Sequence, residues 1–263
     1  MIDNRRINDC LTRFEPISLD QMKDVQLMNR IDTKYVVPIR QLPQILEKAQ
    51  KDYFAQEIDG KRIATYDTMY YDTADCDMYI RHQNKQLVRQ KIRVRQYVDS
   101  NLVFLEVKRK NNKGRTKKKR IAIPVTQPTA DIVGTNKNGT ISVADFVAEK
   151  SRYTWDTIFP HLRTRFDRIT LVNKAKTERL TIDMHLLWDN CVTGRNKTYN
   201  DLVIIELKRN GNLFSPMIGI LNDERIHQLK VSKYCIGTAL TNPDIKQNRF
   251  KQKIKRIEKL LTE

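Results

Sequence analysis

The sequence predicts an α+β protein built mainly of strands whose charged faces converge on a shared interior. Three observations carry this reading. The first is a set of strand-like runs in which charges repeat with period two: Lys91, Arg93 and Arg95; Phe104, Glu106, Lys108 and Lys110; and, in a near copy further on, Ile204, Glu206 and Lys208. Alternate side chains of a strand share one face, so Val94, Leu105, Val107, Ile205 and Leu207 point the other way. The second is recurrence. Arg30, Asp32 and Lys34 share a face by the same alternation, as do Arg179, Thr181 and Asp183, and Phe166 with Arg168. The third is a shortage of acids, because only Asp32, Glu106, Asp183 and Glu206 accompany these cations. Burying uncompensated charge costs several kcal/mol per ion unless an anion offsets it. The pattern therefore predicts a polyanionic ligand, of the kind a chain of phosphates provides.

The elements follow in order. Residues 18 to 29 open with the cap Ser18 and place Leu19, Met22, Val25 and Met28 at helical spacing. Ile31 to Pro38 is a β-like run, and 41 to 53, with Leu42, Ile45, Leu46 and Ala49, predicts a second helix. Strands are expected at 63 to 72, 86 to 98, 102 to 110, 119 to 125, 162 to 173, 178 to 189 and 202 to 209. Pro128 to Thr140 reads as a loop, Val143 to Lys150 as a short helix, and 215 to 228 as a helix started by Ser215 and Pro216. The tail from 244 to 262 puts Phe250, Ile254, Ile257 and Leu261 on one helical face with basic residues around the rest, which reads as a packing helix. No linker, low-complexity tract or solenoid period is visible, so a single domain over 1 to 263 is expected. FLEVKRK and VIIELKRN hint at two similar halves.

Composition narrows the chemistry. The chain carries 49 basic and 31 acidic residues, a net charge of +18 that steers anions of every kind. Cys10, Cys76, Cys191 and Cys235 are widely spaced with no CxxC pair, and no signal segment opens the chain, so a cytoplasmic protein with reduced thiols is expected. No apolar stretch approaches the roughly 18 residues of a membrane span, leaving peripheral contact as the expected limit. With eight glycines and neither a GxxxxGK[ST] loop nor a GxGxxG turn, side chains rather than backbone nests must hold phosphates. His82, His161, His185 and His227 show no HExxH or zinc-finger spacing, and no GxSxG elbow is present.

Glu106 and Glu206 each precede a lysine by two residues, so each is either an ion-pair partner or a ligand for a hard divalent cation that also binds phosphate oxygens. In the run Lys117 to Arg120, the returning strand is expected to feed one residue inward, with Lys119 the candidate, and to leave the others as a basic rim.

The segments RIDTKYVVP, IRVRQY, FLEVKRK, FDRITLV, ERLTIDMHLLW, IIELKRNG and VSKY, in this order over about residues 17 to 241, resemble the VTC domain of polyphosphate polymerases, a branch of the CYTH-like triphosphate tunnel enzymes. The resemblance implies an antiparallel β-barrel forming a basic tunnel, flanking helices, and transfer of the γ-phosphate of ATP to inorganic polyphosphate with Mn²⁺ or Mg²⁺. By matching motifs it assigns catalytic roles to Arg93, Arg95, Lys108, Arg168, Arg179 and Lys208, phosphate contacts to Lys34 and Lys233, and the metal to Glu206; the reading of the strands themselves adds Lys91 and Lys119 as expected phosphate contacts and Glu106 as the second expected metal ligand. The hydrolase sisters begin with an ExExK strand, whereas this chain has Arg30, Asp32 and Lys34 there, which favours transfer over hydrolysis. ATP and polyphosphate are the implied partners, with no specific nucleic acid; any membrane coupling falls to a partner protein. The alternatives are a triphosphatase or cyclase of the same fold, and a polyphosphate- or RNA-binding module. RNA binding ranks last, because Tyr66, Tyr70, Tyr71 and Tyr97 lie in expected strands rather than in basic loops.

Overall fold

In a computed structural model, which describes residues 2–25, 27, 30–126 and 128–262, the chain begins with α1 (Ile2–Thr12) and β1 (Glu15–Ile17). It continues through β2 (Arg30–Pro38), α2 (Leu42–Ala49), β3 (Tyr53–Gln56), β4 (Ile63–Asp72), α3 (Asp77–Gln83), β5 (Arg89–Tyr97), β6 (Leu102–Lys110) and β7 (Thr116–Ile123). β8 (Val133–Asn136), β9 (Gly139–Ser142), α4 (Val143–Lys150), β10 (Phe159–Asn173), β11 (Glu178–Asn190), β12 (Asn196–Tyr199) and β13 (Leu202–Asn210) follow, then α5 (Pro216–Asp223), α6 (Lys233–Thr241) and α7 (Asn248–Thr262). One 13-stranded sheet runs β2-β13-β11-β10-β4-β5-β6-β7-β8-β9, with β1, β3 and β12 paired at its side. Every pairing is antiparallel except β1 with β3.

The expected closed barrel is corrected by this order, since among the described residues the ladder ends at β2 and β9. The reason lies at the β2 edge. There the segment after α5 takes the hydrogen bonds a closing strand would need: Gln228 bridges Tyr35, and the Leu229 amide donates to the Lys34 carbonyl at 2.8 Å. The sheet is nevertheless strongly bent. Glu206 on β13 acts on Lys108 of β6 although four strands separate them, which requires the two walls to face each other across a trough.

Burial explains the bend. The outer face of β2, β13, β11 and β10 packs Tyr35, Ile205, Leu207, Leu180, Ile182 and Ile169 under α1, α2 and α5. The outer face of β5, β6 and β7 packs Ile92, Leu105, Val107 and Ile121 under α4. On α2, Leu42, Ile45, Leu46 and Ala49 follow helical spacing and all are buried, and Ser142 caps α4 by accepting from the Asp145 amide at 3.0 Å. Inside the trough, α6 and α7 close one half against Val36, Leu162, Phe166, Leu186, Trp188 and Ile204. α6 approaches so closely that any side chain at Gly237 would collide with the indole of Trp188.

Several boundaries differ from expectation. Residues 18–25 form only a short turn of helix at Gln21–Asp24, where Ser18 and Gln21 bond each other's amides, and the remainder of that expected helix lies partly outside the described residues. The second helix stops at Ala49 and the fifth at Asp223. The expected loop 128–140 contains the β8–β9 hairpin. The helices α1, α3 and α6 were not anticipated.

Candidate functional site

The trough face is built from one row of side chains per strand. β5 supplies Lys91, Arg93 and Arg95, β6 supplies Glu106 and Lys108, and the ladder sets Arg93 opposite Glu106 and Lys91 opposite Lys108. Across the trough, Lys34 lies opposite Glu206, Thr181 opposite Glu206 on the other side, and Arg179 opposite Lys208. The sheet thus gathers Lys34, Lys91, Arg93, Arg95, Lys108, Arg168, Arg179 and Lys208 on one concave surface, as the alternation required, and Lys233 joins them from the first position of α6. Lys119 is the exception. It stands opposite Val107, on the outer face with Ile121, and is exposed; Lys118, opposite Lys108, and Arg120, opposite Glu106, are the residues of that run on the trough face. Counting back from a tight turn at Gly114 would have found them, because the register fixes which of two neighbours shares a face with Lys108.

Three carboxylates organise the cations. Glu106 is fully buried; its Oε2 accepts from Arg93 (2.5 Å to Nη2) and its Oε1 from Lys118 at 2.9 Å. Burial raises its pKa, but Arg93, Arg95 and Lys118 outweigh that and hold it below the carboxylate range. Asp183, also fully buried, receives a two-pronged bond from Arg168 (2.5 Å from Nε and 2.8 Å from Nη2) and another from Lys233 at the start of α6. Glu206 accepts on Oε1 from Lys34 at 2.7 Å, with Lys208 at 3.6 Å.

Among the described residues Arg95, Lys108 and Arg179 have no ion-paired carboxylate. Arg95 is 7% exposed, donates among the described residues only to Thr68 Oγ1 at 3.1 Å, and stacks over Tyr66 and Phe166; burial, then Arg93 and Arg168, pull it down to about 10. Lys108 is driven well below its ordinary value, first by Arg93 and then by burial and Arg95. Arg179 is lowered by burial, Arg30 and Arg168. Tyr70, missed by sequence reasoning, registers the same field. Burial should raise its phenol, yet Arg93, Arg95, Lys91 and Lys233 together lower it, and Arg93 Nη1 donates to its hydroxyl at 3.3 Å. Positive charge in the trough is therefore under-neutralised, and a bound polyanion would supply the missing counter-charge.

Lys208 converts this into a pH dependence. Burial, with Arg168 and Lys34, lowers it to about 8 from 10.5, against the pull of Glu206. Between these values the unfolded chain holds the extra proton, so ligand-free stability should rise as pH increases through that window. Phosphate binding needs the charged amine, so affinity should fall over the same range. Thermal melts and calorimetric titration with tripolyphosphate check both signs. Lys208→Arg should flatten both curves, and unchanged curves would remove Lys208 from the anion's contacts.

As metal ligands the two glutamates differ. Glu106 does not fit, because both of its oxygens are bonded to cations. Glu206 fits in part: among the described residues nothing bonds its Oε2, and Thr181, beside it in the ladder, has a buried hydroxyl with no partner. These are hard oxygen donors, and a phosphate-bound Mg²⁺ or Mn²⁺ uses only one or two from the protein. Among the described residues no three His, Cys, Asp or Glu side chains come together to hold an ion, and no helix is long and apolar enough to cross a membrane.

The site is thus a concave, antiparallel sheet face rich in lysine and arginine, with α6, capped by Ser232, packed over one end of it. The family model described as the VTC domain matches residues 29–242, and the chain belongs to that family. No curated protein sequence matches it. Solved structures similar to it include a candidate adenylate cyclase from Vibrio parahaemolyticus (10% identity, 79% of this chain and 96% of that one, TM-score 0.44). Others are a candidate adenylyl cyclase from Hippeastrum described as having a dominant triphosphatase activity (13%, 81% and 96%, 0.48) and a candidate adenylate cyclase from Bacillus halodurans (13%, 78% and 96%, 0.43).

Proposed function

We propose that the protein transfers the γ-phosphate of ATP to the end of an inorganic polyphosphate chain held in the trough. The observation that carries this reading is a set of cations with no ion-paired carboxylate among the described residues: buried Arg95 and half-buried Lys108 on the β5–β6 wall and half-buried Arg179 on β11 of the other. Arg93, Arg95 and Arg168 would hold the triphosphate, with Lys34, Lys108, Arg179, Lys208 and Lys233 neutralising the phosphates on either side. Catalysis then comes from alignment and charge stabilisation. A terminal oxygen of the polyphosphate forms a bond to the γ-phosphorus as the bond to the β-phosphate oxygen breaks, and ADP leaves. No protein nucleophile is required. Glu206, with Thr181 beside it, would hold Mn²⁺ or Mg²⁺, which when bound draws charge from the phosphate oxygens.

The test is incubation of the purified protein with ATP and Mn²⁺ or Mg²⁺, with and without a short polyphosphate primer, followed by gel analysis of polymer. A ladder of polyphosphate is the expected result. Free phosphate without polymer would assign a triphosphatase, and no ATP consumption a binding module. Glu206→Gln should shift the metal titration to higher concentration more than it changes ATP affinity; an unshifted metal titration would remove Glu206 from the metal.

A further inference from the structure

On most strands the charged row ends half-way along the trough. Arg168 gives way to Phe166 and Leu162, Asp183 to Leu186 and Trp188, Glu206 to Ile204, and Lys34 to Val36, where α6 and α7 fill the space. β5 and β6 do not make this change. Their rows continue from Arg95 through Arg93 and Lys91 to Arg89, and from Glu106 through Lys108 to Lys110, with Arg89 opposite Lys110. They pass the start of α6, where Lys91 Nζ donates to Ser232 Oγ at 2.7 Å. The seven residues from Arg95 to Arg89 span about 20 Å of strand, further than a triphosphate centred on Arg93 and Arg95 reaches.

Beyond Arg89 and Lys110 the cations continue on the surface. Lys230 is exposed, and Lys253 of α7 donates to its carbonyl at 2.6 Å. Lys85, just past α3, is exposed as well. Among the described residues none of Lys85, Arg89, Lys110, Lys230 and Lys253 is ion-paired to a carboxylate. After burial, Arg89 and Lys230 lower Lys110, and Lys85 and Lys230 lower Lys253, so these five groups share one patch.

We propose that this patch is an exit track, along which an inorganic polyphosphate chain leaves the trough between Arg89 and Lys110 and continues over Lys230, Lys253 and Lys85. The inference rests on the phosphoryl-transfer reading and adds a direction to it, together with a second region of contact reached only by long chains.

The experiment measures binding of tripolyphosphate and of long-chain polyphosphate to the full chain across a salt series, for wild type and for the double variant Lys85→Glu with Lys230→Glu. Both residues lie outside the catalytic set, and a thermal melt checks that the variant is folded. The variant should bind tripolyphosphate as wild type does but bind the long chain more weakly. Its slope of log K against log salt should fall by about 1.4, at about 0.7 per lost phosphate contact. Lys85→Arg with Lys230→Arg should restore both quantities. Undiminished long-chain binding by the charge-reversed variant overturns the track, and so does an equal loss for both ligands. An equal loss for single-stranded RNA would make the patch a general polyanion surface and overturn its assignment to polyphosphate. Wild-type protein that binds neither phosphate ligand removes the phosphoryl-transfer reading itself, and the track with it.

Discussion

Replacing Arg95 with methionine should raise the melting temperature of the ligand-free protein while weakening tripolyphosphate binding by about ten- to a hundredfold. Both effects come from one circumstance. Arg95 is 7% exposed and bonded only to a threonine hydroxyl, with aromatic rings for neighbours and Arg93 and Arg168 as the nearest charges acting on it. Its guanidinium is desolvated without a carboxylate, and exchanging such a charge for an apolar side chain of similar length removes the penalty. A gain of about 1–3 kcal/mol is expected, or about 3–10 °C for a chain of this size. The charge is then worth keeping only for a ligand. A melting temperature that falls in Arg95→Met would mean that its stacking on Tyr66 and Phe166 matters more than its charge, and unchanged binding would take it out of the anion site. Arg93 and Arg168 are not interchangeable with it. Each closes a buried ion pair, so its removal should lower stability as well as binding.

How far the sequence disclosed this site depends on which physical signal each residue carried. Period-two alternation is local, and it brought out Arg93, Arg95, Glu106, Lys108, Arg168, Arg179, Glu206 and Lys208 because a strand cannot turn one of them away without turning its neighbours too. Lys119 failed for the same reason in reverse: four consecutive basic residues contain no alternation, and only pairing with β6 decides between Lys118 and Lys119. The two ExK runs look alike in sequence yet diverge in space. Glu106 is sealed between Arg93 and Lys118, whereas among the described residues nothing bonds Oε2 of Glu206, a difference made by strands remote in the chain. α6 was invisible because Tyr234, Cys235, Ile236, Gly237, Thr238 and Ala239 are buried on every side, leaving no amphipathic stripe, and because glycine and threonine argue against helix locally. α1 did carry a signal, with Ile7, Cys10 and Leu11 at helical spacing and Phe14 just past its end, all buried, which its many charges obscured. Closure was not legible at all, since whether β2 meets another strand or the 228–229 segment is decided by hydrogen bonds between parts of the chain far apart in sequence.

Asp183→Asn should have the opposite profile to Arg95→Met and be the most destabilising single change in the trough. The carboxylate is completely buried and binds Arg168 and Lys233, whose charges hold it below the carboxylate range although burial alone would raise it. The amide keeps the shape but leaves two buried cations facing each other and Arg95, at a cost of about 3–5 kcal/mol, or about 10 °C or more in melting temperature. An anion in the trough can stand in for the lost charge. Tripolyphosphate should therefore raise the melting temperature of Asp183→Asn by more than it raises that of the wild type, because a ligand that binds only the folded state stabilises in proportion to its affinity, and that affinity grows when the competing carboxylate is gone. Equal shifts in the two proteins would mean that Arg168 and Lys233 serve Asp183 alone and do not face the anion, in which case the pair belongs to the seat of α6 rather than to the site. A larger shift in the variant would make Asp183 the internal stand-in for phosphate, holding the cations in place while the trough is empty.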